Sequence, residues 1–234
     1  MKQSKSARVM VIIPARNEEE TIGQVVAEVR RQNFSVLVVN DGSTDSTEAV
    51  ARSAGAHVVT LVYPLGVWGA IQTGLRYAHY RGYDVAITMD ADGQHIPEFL
   101  EDLLRPVEDG FADVAVGVYP DRLSVARLLA VRFFRKVAGV SFIDVTSGMR
   151  VYGKRAIELL VDEKVAGIEY QDLGVLLLLI ENGLKVAEVP VRMERRVSGK
   201  SRLFSSWFVV GSYLLYTGTL ALGKTRIINA RIKE

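Results

Sequence analysis

Cysteine is absent from the chain, which excludes disulfides and thiol chemistry and fits a reducing compartment. Neither sign of charge is in surplus. The 29 lysines and arginines face 27 aspartates and glutamates, so nothing in the balance points to nucleic acid as a partner. The polar stretch Met1 to Arg8 has no apolar centre, and no secretion leader is expected. Internal repeats and low-complexity tracts are missing as well. Pro64 to Gly74 is glycine-rich but does not fit Gly-x-Gly-x-x-Gly, so the dinucleotide-binding pattern is not met. What the chain does have is apolar residues, 49% of 234, enough for the core of one α/β domain. That domain is expected over residues 1–202, with an appended carboxyl-terminal segment over 203–234.

Val85 to Met89 is apolar and rich in β-branched residues, so it reads as a buried strand, and Asp90 falls where that strand ends. Asp90 and Asp92 then share the carboxyl edge of the sheet, the edge where open α/β sheets bind ligands. Two carboxylates so close repel unless a cation lies between them. Mg²⁺ or Mn²⁺ takes one or two carboxylates plus substrate phosphate oxygens, and Gln94 offers a neutral oxygen from the same loop. The plainer alternative is a polar turn ahead of the amphipathic helix that Pro97 begins.

The rest of the chain alternates in the same way. Val9 to Ile13 reads as a strand, followed by Asn17 as helix N-cap with Glu20 completing a capping box. Val36 to Val39 is a second strand, ending in the polar run Asn40 to Thr47. There the Asp41 carboxylate can accept two hydrogen bonds from a base edge, while Gly42 and Ser43 admit a ligand close to the backbone. His57 to Val62 is a third strand, whose histidine only starts it, and Ala112 to Val118 a further one. Strands alternating with helices specify a mostly parallel sheet covered on both faces.

Taken in order, these motifs resemble glycosyltransferase family 2, inverting nucleotide-sugar transferases with a GT-A fold. The resemblance runs from Val9 to Leu203. It is carried by Ile13-Pro14-Ala15-Arg16-Asn17-Glu18, Val39-Asn40-Asp41-Gly42-Ser43-Thr44-Asp45 and Asp90-Ala91-Asp92-Gly93-Gln94. Thr146 to Tyr152, Glu188 to Val191 and Arg196 to Arg202 complete it, and the last two are similar to the closing segments of dolichol-phosphate mannose synthase-like domains. It implies donor binding by Pro14, Ala15, Asn17, Glu18, Asp41, Gly42, Ser43, Asp90, Ala91 and Arg196. A divalent cation, Mg²⁺ or Mn²⁺, would fall to Asp90, Asp92 and Gln94. Three places depart from the pattern. Trp68 replaces a glycine and is expected to fill space that relatives leave to donor or lipid. Arg195 replaces an aspartate, and Gln171-Asp172 offers one carboxylate at the start of its helix.

The chemistry distinguishes two acceptors. A sugar hydroxyl needs a carboxylate base, for which Asp172 is the candidate. A polyprenyl phosphate, with a second pKa near ~6, is already ionised and needs arginines to hold it. Arg122, Arg127, Arg132 and Arg135 line an amphipathic segment, and the resemblance assigns the acceptor phosphate to Arg122, Arg127, Arg132, Ser201 and Arg202, with Arg132 foremost. Leu203 to Gly223 carries no charge and is long enough to cross a bilayer, yet basic residues flank both its ends. It reads as a helix lying on a membrane or pairing two copies through its small face (Ser205, Ser212, Thr219), the alternative being a helix packed on the domain. The expectation is a metal-dependent enzyme passing one sugar from GDP-mannose or UDP-glucose to a polyprenyl (dolichyl) phosphate at the cytoplasmic membrane face. Against it stand a saccharide acceptor, with Asp172 as base, and a nucleotide-sugar-binding protein without turnover.

Overall fold

The computed structural model describes residues 7–119, 147–162 and 173–194. Within them the chain runs β1 (Val9–Ala15), α1 (Ile22–Arg31), β2 (Ser35–Asn40), α2 (Thr47–Ser53), β3 (His57–Thr60), α3 (Gly66–Tyr80) and β4 (Val85–Thr88). It continues through a 3₁₀ turn (Pro97–Phe99), α4 (Leu100–Glu108), β5 (Val114–Val118), β6 (Arg150–Gly153), α5 (Lys154–Leu160), α6 (Leu173–Glu181) and β7 (Val186–Pro190). The strands form one sheet of order β3-β2-β1-β4-β6-β5-β7, in which only β6 runs antiparallel to its neighbours. This is the GT-A arrangement of a mostly parallel, doubly covered sheet.

The alternation of β1 explains why both faces are covered. Val11 and Ile13 pack with Ile22, Val25 and Val29 of α1 and Leu100 and Leu103 of α4. Met10 and Ile12 point to the other face, into a core with Ile71 and Leu75 of α3 and Ile157 and Leu160 of α5. Each such side chain removed from water contributes ~1.5–3 kcal/mol, so neither face can be left bare. Helix α3 lies unusually close to β1. A Cβ at Gly74 would stand 2.3 Å from Ile12 Cγ2, and only glycine fits there.

Strand order also locates the ligand crevice. From β1 the chain winds outward to β2 and β3, then α3 carries it back to β4 on the far side of β1. Ligands bind at such a switch point, beyond the carboxyl ends of the strands on either side. Those ends are Ala15 of β1 and Thr88 of β4, and the Met89 amide donates to the Ile12 carbonyl across them.

One local expectation is corrected. Asn17 is not a helix cap: α1 starts at Ile22 behind Thr21, and Asn17 stands at φ +52°, in the left-handed region. The glycine-rich segment leads directly into a helix, α3 being helical from Gly66 to Tyr80. Trp68 lies one-half turn inside it, buried in the core with Met10 and Ile12. The basic segment Arg122 to Lys136, Asp172, Arg196, Ser201, Arg202 and the helix expected over 203–223 lie outside the described residues.

Candidate active site

Asp90 stands one residue past Met89 with its side chain 42% exposed, and His95 holds it from beneath. The Asp90 amide donates to His95 Nδ1 at 3.0 Å, which leaves the N–H of a neutral imidazole on Nε2, 3.5 Å from Asp90 Oδ2. The ring is fully buried and stacks on Tyr119, centroids 6.0 Å apart and planes 6° from parallel. Asp92 closes the turn: its Oδ1 accepts the Gln94 amide at 3.0 Å. The loop is tied down from the far side by residues after β7. The Glu194 amide donates to the Gln94 carbonyl, Gln94 Nε2 donates back to the Glu194 carbonyl, and His95 bridges Met193.

A second polar cluster joins the ends of β1 and β2. The Asn17 amide donates to Ser43 Oγ at 2.9 Å, and Asn17 Oδ1 accepts the Thr44 amide at 2.8 Å. Next along, the Glu18 amide donates to Thr47 Oγ1 and the Glu19 amide to Asp45 Oδ2. Burial pushes the Asp45 carboxyl up, but hydrogen bonds from the Thr47 hydroxyl and amide and from the Glu19 amide outweigh it and hold it below the ordinary carboxylate value. The left-handed turn at Asn17 is what lets one asparagine serve both strands' loops. Its energetic cost is small, because asparagine is among the few residues that tolerate that region.

Asp41 is already engaged within the chain. Its carboxylate is 4% exposed, Oδ1 accepts the Leu65 amide at 2.6 Å, and Oδ2 accepts the Gly66 amide at 3.0 Å. These are open donors at the head of α3, so both oxygens help to close the loop over residues 64–66. Asp41→Ala is therefore expected to lower the melting temperature as well as donor affinity. A hydrogen bond to a charged group contributes ~1.5–3 kcal/mol, and two are lost here. Calorimetric titration beside a thermal melt checks both. An unchanged melting temperature would contradict the capping role.

The structure brings Pro14, Ala15, Asn17, Glu18, Asp41, Gly42 and Ser43 to one side of the crevice, and Asp90, Ala91, Asp92 and Gln94 to the other. His95 and Gly148 belong to this site, and sequence reasoning assigned neither a role. A histidine directly after Gln94 was the available signal for the first.

A mostly parallel sheet covered on both faces, with paired carboxylates at its switch point and a polar cluster opposite, defines a GT-A-type class. Residues 10–135 match the family model described as glycosyl transferase family 2, and the chain belongs to that family. The polyprenol monophosphomannose synthase of Mycolicibacterium smegmatis is 34% identical over 221 residues, covering 85% of this chain and 82% of that one. A UDP-N-acetylglucosamine–dolichyl-phosphate N-acetylglucosaminyltransferase of Methanococcus voltae is 28% identical over 221 residues, covering 79% and 84%. Among solved structures, glucosyl-3-phosphoglycerate synthase from Mycobacterium tuberculosis, in complex with Mn²⁺, uridine diphosphate and glucosyl-3-phosphoglycerate, superposes with a TM-score of 0.66. It covers 91% of this chain and 81% of its own, at 23% identity, which is a likeness of fold.

Proposed function

We propose that the chain transfers one sugar from a nucleotide-diphosphate donor to a polyprenyl phosphate at the cytoplasmic membrane surface. The observation that carries the reading is the Asp90–Asp92 loop at the switch point, in a chain with a polyprenol-phosphate mannose synthase among its relatives. The donor set suits a hard divalent cation. Asp90 and Asp92 supply carboxylate oxygens from one loop, the Asp90 side chain being 42% exposed. Two protein carboxylates with the remaining positions left to phosphate and water match Mg²⁺ or Mn²⁺. Such a cation, when bound, neutralises charge developing on the departing diphosphate.

The chain's own residues do the rest. Asp90 and Asp92 fix where the diphosphate lies, and the Asn17–Ser43 junction with the Asp41-capped loop forms the floor for the nucleoside. The acceptor phosphate, negatively charged before reaction, is assigned to Arg122, Arg127, Arg132, Ser201 and Arg202, and attacks the anomeric carbon opposite the leaving group. No described helix is long and apolar enough to cross a membrane, and we assign membrane attachment to the 203–223 segment or to the lipid acceptor itself. Offered GDP-mannose, UDP-glucose or UDP-N-acetylglucosamine in turn, the protein is expected to label polyprenyl phosphate from one donor. Labelling of soluble saccharides alone would overturn the reading.

A further inference from the structure

We infer that Gly148 and His95 are positioning residues for Asp90, and that glycine at 148 leaves the Asp90 carboxylate where a divalent cation can use it. The inference rests on the reading of Asp90 as a cation ligand. His95 supports Asp90 by its amide and faces its Oδ2, as described. Gly148 also approaches the carboxylate, with no side chain of its own. A Cβ built on Gly148 would stand 2.6 Å from Asp90 Oδ1, 2.7 Å from Oδ2 and 2.9 Å from Cγ. Both oxygens are met at nearly the same distance, so the missing methyl faces the carboxylate head-on. Gly148 does not have a left-handed φ, so its backbone conformation makes no demand for glycine. The demand comes from Asp90.

Neither support can give way. The Gly148 carbonyl accepts Thr88 Oγ1 at 2.8 Å, the Ser147 carbonyl accepts Arg150 Nε at 2.9 Å, and the Met149 carbonyl accepts the Gly117 amide at 2.9 Å. Thr88 and Arg150 are register partners of β4 and β6 and are wholly buried, so residue 148 is fixed to the strand that delivers Asp90. His95 is clamped between its Tyr119 stack and the Met193 bridge. An added methyl at 148 must therefore displace the mobile member, the end of the Asp90 side chain. The fold survives such a shift, while the carboxylate turns out of place.

Titrating Mn²⁺ into the full chain, alone and with GDP or UDP, tests this directly. Loss of an outer support for a metal ligand typically costs ~10–100-fold in affinity. Gly148→Ala is expected to weaken Mn²⁺ binding by that much with little change in melting temperature. In an Asp90→Ala background the same substitution should change neither quantity, because no carboxylate is left to displace. His95→Phe keeps the stack on Tyr119 and loses both contacts, so it should weaken Mn²⁺ comparably. His95→Asn, which restores an acceptor for the Asp90 amide, should recover part of the loss. Parental Mn²⁺ affinity in Gly148→Ala and His95→Phe would overturn the inference while Asp90 stands as a ligand. Should Gly148→Ala fail to fold, the His95 pair decides by the same titration. Parental affinity in Asp90→Ala would instead remove Asp90 as a ligand, and the inference with it.

Discussion

Asp92→Ala is expected to abolish sugar transfer, lowering kcat/KM by ~10³-fold or more. A metal stabilising charge on a leaving group supplies several kcal/mol, and each ~1.4 kcal/mol is a factor of ten in rate. Asp92 is 8% exposed and its Oδ1 accepts the Gln94 amide, so the side chain is held in one place before any ligand arrives. Preorganisation of this kind is what makes one carboxylate worth so much. The substitution also releases the Gln94 amide, so a thermal melt must accompany the assay. A folded, inactive variant is the expected outcome. Excess chelator should silence the parent protein to the same degree, and full activity in chelator would end the metal-dependent reading.

Much of the scaffold was legible because its signals are local. Val9 to Ile13, Val36 to Val39 and Val85 to Met89 are short apolar runs ending in polar clusters, and each is a central strand that ends at the crevice. The Asp90–Asp92 spacing placed both carboxylates on one loop for the same reason. What escaped depends on distances the sequence does not carry. Asn17 followed by Glu20 reads as a capping box, yet the side chain is claimed by the Thr44 amide, 27 positions away. Asp41 reads as two acceptors for a base edge, and no local pattern announces that its oxygens also accept the returning amides of Leu65 and Gly66. Trp68 in a glycine position suggested a changed ligand space. The sequence does not carry what the structure adds, its burial among core residues of β1 and α3. Gly148 is the extreme case. Its significance comes wholly from Asp90, which lies across a sheet pairing between β4 and β6 that no local pattern announces.

The nature of the acceptor is decided by Asp172 and Arg132, both outside the described residues, and their expected responses are opposite. A polyprenyl phosphate brings its negative charge with it, since its second pKa is near ~6, and Asp172 then has no proton to remove. Asp172→Asn should keep activity within roughly tenfold, whereas loss of a general base costs ~10²–10⁴-fold. Arg132→Ala should be severe, because it strips a charge-assisted hydrogen bond from a dianion, and such bonds are about twice as strong as neutral ones. Lysine at 132 should restore only part of the activity, as a point charge cannot reproduce the planar fork of arginine. Removing residues 203–234 should weaken partitioning to vesicles and use of the lipid acceptor while nucleotide binding, which we assign to residues before 203, stays at the parental level. If Asp172→Asn is inactive, Arg132→Ala is near normal and the shortened chain glycosylates soluble saccharides, then the nucleophile is a hydroxyl and Asp172 is its base.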